Sequence, residues 1–167
     1  MRRLMKFLHT MGAIGLMGAL ASLLVLLHFL PEPTSTAEYA QARAAMNGIA
    51  RWIYLPSFAL TLIAGLLAIA LSQVYQNAGW AWAKLATGII IFEYSFLAVL
   101  GPVQNEADWS AKALAGDADA ALLGTTINAE WYSLLVLLAV ATANVVLGVW
   151  RPNFSRRRSA ASERVPT

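Results

Sequence analysis

The chain has 167 residues, of which 59% are hydrophobic and only 13% are charged, with a formal net charge of +3 and no cysteine. Soluble domains carry about twice that share of charged residues, so the composition excludes a soluble enzyme and favours a membrane protein. The lack of cysteine excludes disulfides, thiolate metal sites and cysteine nucleophiles.

Four apolar stretches are each long enough to cross a bilayer as a helix. A hydrocarbon core of about 30 Å requires roughly 20 helical residues, and backbone groups in lipid must bond within their own segment. The predicted spans are residues 7–30, 52–75, 80–101 and 131–150. Aromatic residues typical of an interfacial belt lie at their ends: Trp52, Tyr54, Trp80, Trp82, Trp131, Tyr132 and Trp150. The sequence therefore predicts an all-α bundle of four transmembrane helices with up-down topology.

The first span contains both histidines of the chain, His9 and His28. They are 19 residues apart, which is about 28 Å along a helix, so one molecule cannot bind one metal or haem between them. An ionisable residue inside a span is a functional hypothesis by default. The alternative is an amphipathic side chain that reaches the headgroups. The span remains apolar through Leu30, which is too long for the core of a cleaved signal peptide.

Small residues on the first span recur at three- and four-residue spacing, at Gly12, Gly15, Ala19 and Ser22. Such a face allows another helix to approach closely. We expect it to contact a neighbouring helix, and it is also the candidate surface for another membrane subunit or a second copy of the chain.

Basic residues are concentrated on one side of the predicted bundle. That side carries Arg2, Arg3, Lys6, Lys84, Arg151, Arg156, Arg157, Arg158 and Arg164, and the other side carries Arg43, Arg51 and Lys112. The positive-inside rule then places both termini in the cytoplasm.

The connecting segments follow from this orientation. Residues 31–51 and 102–128 are predicted to face outward, and residues 73–79 to form a tight cytoplasmic hairpin. We expect residues 36–51 to continue as a helix into the second span, with Ser35 or Thr36 as N-cap, and residues 108–123 to form a short surface helix. Residues 153–167 are predicted to be a disordered basic tail near anionic headgroups.

Lys84 lies at the cytoplasmic edge of the third span, at a depth similar to that of His9. A haem between these helices could take His9 as axial ligand, with Lys84 opposite it or paired with a propionate. The alternative for Lys84 is a basic residue that reaches the membrane surface.

Glu93 lies nine residues beyond Lys84, near the middle of the third span and on roughly the opposite helix face. An unpaired carboxylate is strongly disfavoured there. We expect the Glu93 carboxyl group to be protonated or to be hydrogen-bonded. The candidate partners for that bond are Tyr94, Thr61, Asn144 or a water. A proton carrier and an interhelical hydrogen bond are the two interpretations.

A set of short motifs in a fixed order resembles the HemJ-type membrane proteins. The motifs are KFLH at residues 6–9, RWIYLP at 51–56, LIAGL at 62–66, WAKL at 82–85, NAE at 128–130 and WRP at 150–152. The chain is similar to HemJ-type protoporphyrinogen oxidases, to uncharacterised four-helix proteins related to them, and to the membrane domain of copper-resistance CopD. The resemblance implies a bacterial inner-membrane protein that binds haem b, with His9 and Lys84 in the site.

Three functions follow as hypotheses. The first is a haem-b-binding protein with a redox or porphyrin-related role and an oxidoreductase activity. In this hypothesis His9, Lys84 and, more weakly, His28 bind the cofactor, and Glu93 carries protons. The second is an accessory subunit of a larger membrane complex without a cofactor. The third is copper handling, because Met5, Met11 and Met17 share the first helix with His9. The sequence contains no recognisable nucleic-acid-binding module.

Overall fold

The computed structural model describes residues 2–71 and 79–150, and every regular element in that part of the chain is helical. Helix α1 covers Arg2–His28, and α2 (Thr36–Ile49) continues through a π-helical turn (Ala50–Tyr54) into α3 (Leu55–Ala70). Helix α4 (Gly79–Ser95) continues through a second π-helical turn (Phe96–Leu100) into α5 (Gly101–Ala115). A 3-10 turn (Ala120–Leu122) precedes α6 (Ile127–Trp150).

Four helices in the described residues are long and apolar enough to cross a membrane, as expected of a multi-pass membrane protein. The end of the second predicted span, nearly all of the predicted hairpin at 73–79 and the predicted tail at 153–167 lie outside the described residues.

Two of the spanning helices extend well beyond their predicted ends. They run from Thr36 to Ala70, 35 residues, and from Leu85 to Ala115, 31 residues. The predicted helical lead into the second span is confirmed, although the Ser35 side chain makes no capping hydrogen bond. The predicted separate helix at 108–123 is wrong, because α5 already begins at Gly101 and ends at Ala115.

The π-helical turns explain why each long helix continues through a proline. Proline lacks a backbone N–H and clashes with the carbonyl four residues earlier. In each π turn a carbonyl instead bonds to the fifth residue on: the Leu55 N–H donates to Ala50, and the Gly101 N–H to Phe96. The prolines follow directly at positions 56 and 102. Pro102 therefore lies inside a helix and does not end the span, contrary to the sequence prediction.

The hydrophobic core lies toward one end of the bundle. Its most deeply buried members include Leu20 and Leu23 of α1, Tyr54 beside α3, Val99 beside α4 and Leu134 of α6. We call the other end, which holds residues 2–9, 66–71 and 79–85, the basic end. The core therefore stabilises the half of the bundle away from the basic end.

Tyr54, predicted to lie in the aromatic belt, is instead buried in this core, and that part of the prediction is wrong. Its hydroxyl donates to the Ser95 Oγ at 2.7 Å, and Ser95 donates to the Ile91 carbonyl at 2.7 Å. The bond ties the two long helices together where their π turns meet.

We expect Tyr54→Phe to lower the free energy of unfolding by about 0.5–1.5 kcal/mol, the usual net value of one buried hydrogen bond. The cost stays moderate because Ser95 keeps its bond to Ile91. Equilibrium unfolding in detergent micelles measures the effect. The exposed Tyr132 supplies the control: if Tyr132→Phe has an equal effect, this role of Tyr54 is contradicted.

Candidate functional site

His9 is oriented by a hydrogen bond to α3. Its Nδ1 lies 2.8 Å from the Thr61 carbonyl oxygen. A carbonyl can only accept, so Nδ1 carries the proton, and in the neutral ring Nε2 keeps its lone pair. One turn along α3, a Cβ added to Gly65 would lie only 3.4 Å from His9 Nδ1. The ring therefore lies within van der Waals range of the Gly65 position, and Nε2 of the neutral ring can accept a hydrogen bond or coordinate a metal.

The small-residue face of α1 is occupied mainly within the chain. A Cβ added to Gly12 would contact the Thr61 Oγ1 and lie 2.8 Å from the Ser57 carbonyl oxygen. A Cβ on Gly15 would lie 3.1 Å from the Ser57 Cβ, and Ala19 is buried as well. Only Ser22 of the four predicted residues is exposed. The close helix approach is confirmed, and its partner is the chain's own α3, which runs antiparallel to α1.

Toward the basic end, the residues on the core-facing side of α1 and α3 are polar or small. His9 lies seven residues before Leu16, a spacing that places both on one helix face, and Leu16 belongs to the core. In α3, Thr61 lies seven residues after the buried Tyr54. His9 therefore lies on the interior face of α1, although its side chain is exposed.

The same change occurs on α4 and α6. Lys84 lies seven residues before Ile91, and Ile91 packs against the core. The backbone position of Lys84 is therefore on the interior face of α4. The Lys84 side chain is not among those that the structure describes. Asn144 lies seven residues after the buried Leu137, and its Nδ2 donates to the Val140 carbonyl at 3.2 Å. Helical register therefore places the backbone positions of His9, Lys84 and Asn144 on the interior faces of their helices.

The described side chains are loosely packed in this region. Among the side chains that the structure describes, α4 has no buried residue before Ser95 and α6 has none after Leu137. Between α3 and α4 lies an open groove of about 340 Å³ lined by Leu66, Ile69, Ala70, Trp82 and Leu85. The exposure of His9 is thus explained by loose packing at the basic end.

Glu93 lies apart from His9. It is exposed, and its position two residues from Ile91 and two from Ser95 places it on the outward face of α4. The predicted partners bond elsewhere: Tyr94 donates to Ser133 at 3.3 Å and Thr61 donates to the Ser57 carbonyl at 2.8 Å. Within residues 2–71 and 79–150, no hydrogen bond or ion pair to Glu93 is found. The interhelical hydrogen bond predicted for this side chain is therefore not formed within the described chain.

His28 lies at the far end of α1 from His9. Its ring contacts Phe29 and Trp131 edge-on, with centroid distances of 4.9 and 6.3 Å. These contacts match an aromatic surface layer. In the described residues no group of three or more His, Cys, Asp or Glu side chains could hold a metal ion.

A buried ionic cluster, missed from the sequence, joins α2, α5 and α6 away from the basic end. Arg43 is 0% exposed, and its Nη1 donates to the Glu130 Oε2 at 2.6 Å. Its Nε donates to the Tyr39 hydroxyl at 3.0 Å, and Tyr39 donates to the Glu106 Oε1 at 2.6 Å. From the sequence, Arg43 was assigned only as a basic residue of the outer side, and Glu130 only as the last residue of the NAE motif.

Further donors complete the cluster. The Gly124 N–H donates to Glu106 at 2.6 Å, and the Thr126 hydroxyl donates to Glu130 at 2.8 Å. The Arg43 Nη2 has no hydrogen-bond partner and lies 3.9 Å from the Glu106 Oε1. The cluster thus fixes the start of α6 and the segment before it against the two long helices.

In comparisons with family models, curated proteins and solved structures, nothing matches this chain.

Proposed function

We propose that this chain is a haem-b-binding protein of the bacterial inner membrane, with the His9 Nε2 as axial ligand. The observation that supports this is the 2.8 Å hydrogen bond between His9 Nδ1 and the Thr61 carbonyl. Histidines that bind metals almost always donate their other ring N–H to such an acceptor, which fixes both the tautomer and the ring plane. His9 has this second partner already in place.

The proposed topology is up-down, with both termini in the cytoplasm. His9 bonds to Thr61, and Gly88 faces Leu62, so α1, α3 and α4 meet at the same level near the basic end. The basic residues of the sequence are concentrated on that side, and the positive-inside rule orients it to the cytoplasm.

The residues at the open end fit a haem. Gly65 and Gly88 leave space on the interior faces of α3 and α4, and the position of Lys84 shares that interior. We propose that Lys84 completes the axial site or pairs with a propionate. Bound haem would supply one-electron redox chemistry tuned by its axial ligand, and the role of the protein is then redox or porphyrin-related. Glu93, on the outward face, is not part of this site.

An accessory subunit without a cofactor is the second candidate function, and the outward position of Glu93 favours it. A carboxyl group that faces lipid in one molecule indicates a further protein contact.

The absorbance spectrum of detergent-purified protein, expressed with ample haem, tests the proposal. We expect a Soret band in the wild type that is lost or strongly reduced in His9→Ala, because the iron loses its axial ligand. Added imidazole is expected to restore the band in His9→Gly by occupying the vacated ligand position.

The matched control is His28→Ala, which removes the other histidine of the same helix and is expected to leave the band unchanged. The proposal is contradicted if the wild type has no Soret band, or if His9→Ala and His28→Ala give the same spectrum as the wild type.

A further inference from the structure

The outward face of α4 carries an ionisable group deep within the membrane. Within the membrane-length helix Leu85–Ala115, Glu93 lies 8 residues after Leu85 and 22 before Ala115, about 12 and 33 Å along the helix axis. A glutamate side chain is too short to reach the headgroups from that depth. The residue is exposed, so in a single molecule it faces the lipid.

Such a position is costly unless another polar group covers it. Ionisable residues in spanning helices almost always face protein or a water-filled cavity, where they are paired. The described residues of this chain provide no partner for Glu93, and the side chains around it on the same face are apolar: Ala86, Ile89, Ile90 and Leu97 are all exposed. A polar group of another molecule, packed on this face, would cover the carboxyl group.

We propose that this molecule is a second copy of the chain, packed on the same face about a two-fold axis perpendicular to the membrane. The two copies have the same orientation in the bilayer, so this axis places Glu93 at the depth of its own symmetry mate. A carboxylic acid is both donor and acceptor, so two such groups are self-complementary when they share a proton. Closed two-fold symmetry is also the commonest arrangement of homo-oligomers.

This contact differs from the one expected on the small-residue face of α1. There Gly12 and Gly15 already pack against α3, which leaves little of the face for another molecule. The outward face of α4 is free of such contacts, and Ile90 and Leu97 on either side of Glu93 are 69% and 78% exposed.

Single cysteines test the contact directly, because the native chain contains none. Ile90→Cys and Leu97→Cys place a thiol one turn before and after Glu93, and oxidation in isolated membranes links residues that meet their own symmetry mates. Disulfide formation requires Cα atoms within about 7 Å, so we expect at least about tenfold more linked dimer than for Ile63→Cys. Ile63 is the matched control, an exposed isoleucine (54%) on α3.

Substitutions of Glu93 in the Ile90→Cys background then test the polar contact. We expect Glu93→Gln to keep the linked dimer, because a carboxamide also both donates and accepts. Glu93→Leu is expected to reduce it about tenfold, although leucine is well suited to lipid. Circular dichroism of each variant verifies that the helices are retained.

Three results would overturn the proposal: equal linkage of Ile90→Cys and Ile63→Cys, linkage to a different protein, or an unchanged yield in Glu93→Leu. None of these measurements depends on haem, so the failure of the dimer and the failure of the haem site are distinguished.

Discussion

Replacing Arg43 with methionine is expected to lower the free energy of unfolding by about 3–5 kcal/mol, the usual cost of removing one partner from a buried ion pair. Methionine keeps much of the side-chain volume, so the loss of charge dominates. Glu130 then loses a donor at 2.6 Å and remains 1% exposed. Equilibrium unfolding in mixed micelles, followed by the loss of helical circular dichroism, measures the change.

Arg51 provides a matched control because it lies on the same long helix but is exposed. We expect Arg51→Met to change stability by no more than about 0.5 kcal/mol, as is usual for surface substitutions. A second variant combines Arg43→Met with Glu106→Gln and Glu130→Gln. Because it removes the unpaired charges, we expect it to recover much of the loss. Equal effects of Arg43→Met and Arg51→Met would show that the cluster does not stabilise the fold.

In the described residues, one half of the molecule, with the ionic cluster, is densely packed and the half at the basic end is loosely packed. The ionic cluster and the large buried side chains lie away from the basic end. At the basic end, α1 and α3 are held together by glycine contacts, while α4 and α6 leave the interior open. A region with few buried contacts opens at low free energy. Under the proposed function, a haem would then enter near His9 without disturbing the half that carries most of the core.

The membrane-spanning helices could be predicted because their signal is local. An apolar stretch of about 20 residues is sufficient evidence for a span, and all four were found. The extension through Pro102 could not be predicted in this way. A proline within a helical pattern normally marks its end, and the π turn that accommodates it forms only where the two long helices pack together.

Residues that act through distant partners were the least predictable. Arg43 binds Glu130, 87 positions away in sequence, and no local pattern indicates that pairing. Helical periodicity predicts that Glu93 lies on the helix face opposite to Lys84. Two of its candidate partners, Tyr94 and Thr61, bond elsewhere, because the register between neighbouring helices is not encoded locally. His9 was identified as a candidate from its residue type and depth, whereas its hydrogen bond to Thr61 depends on the close approach of α1 and α3.

The close approach of α1 and α3 leads to the second large expected effect. We expect Gly12→Ala to lower the free energy of unfolding. An added Cβ would contact the Thr61 Oγ1 and lie 2.8 Å from both the Ser57 carbonyl oxygen and the Thr61 nitrogen. Two of these three atoms belong to the backbone of α3, so a rotamer change cannot relieve the contact and the helices must separate. Overpacking of this kind typically costs about 1–3 kcal/mol. Unfolding in mixed micelles is again the measurement.

The control for Gly12→Ala is the identical change at Gly18, six residues further along α1. A Cβ there would meet nothing within 4 Å, so only helix propensity changes, and alanine is favoured over glycine by about 0.5–1 kcal/mol in a helix. The two substitutions are therefore expected to shift stability in opposite directions. Because separation of α1 from α3 also draws His9 from the Thr61 carbonyl, Gly12→Ala should weaken the Soret band while Gly18→Ala preserves it. Destabilisation by both variants alike would show that helical glycines, and not the α1–α3 contact, determine the effect.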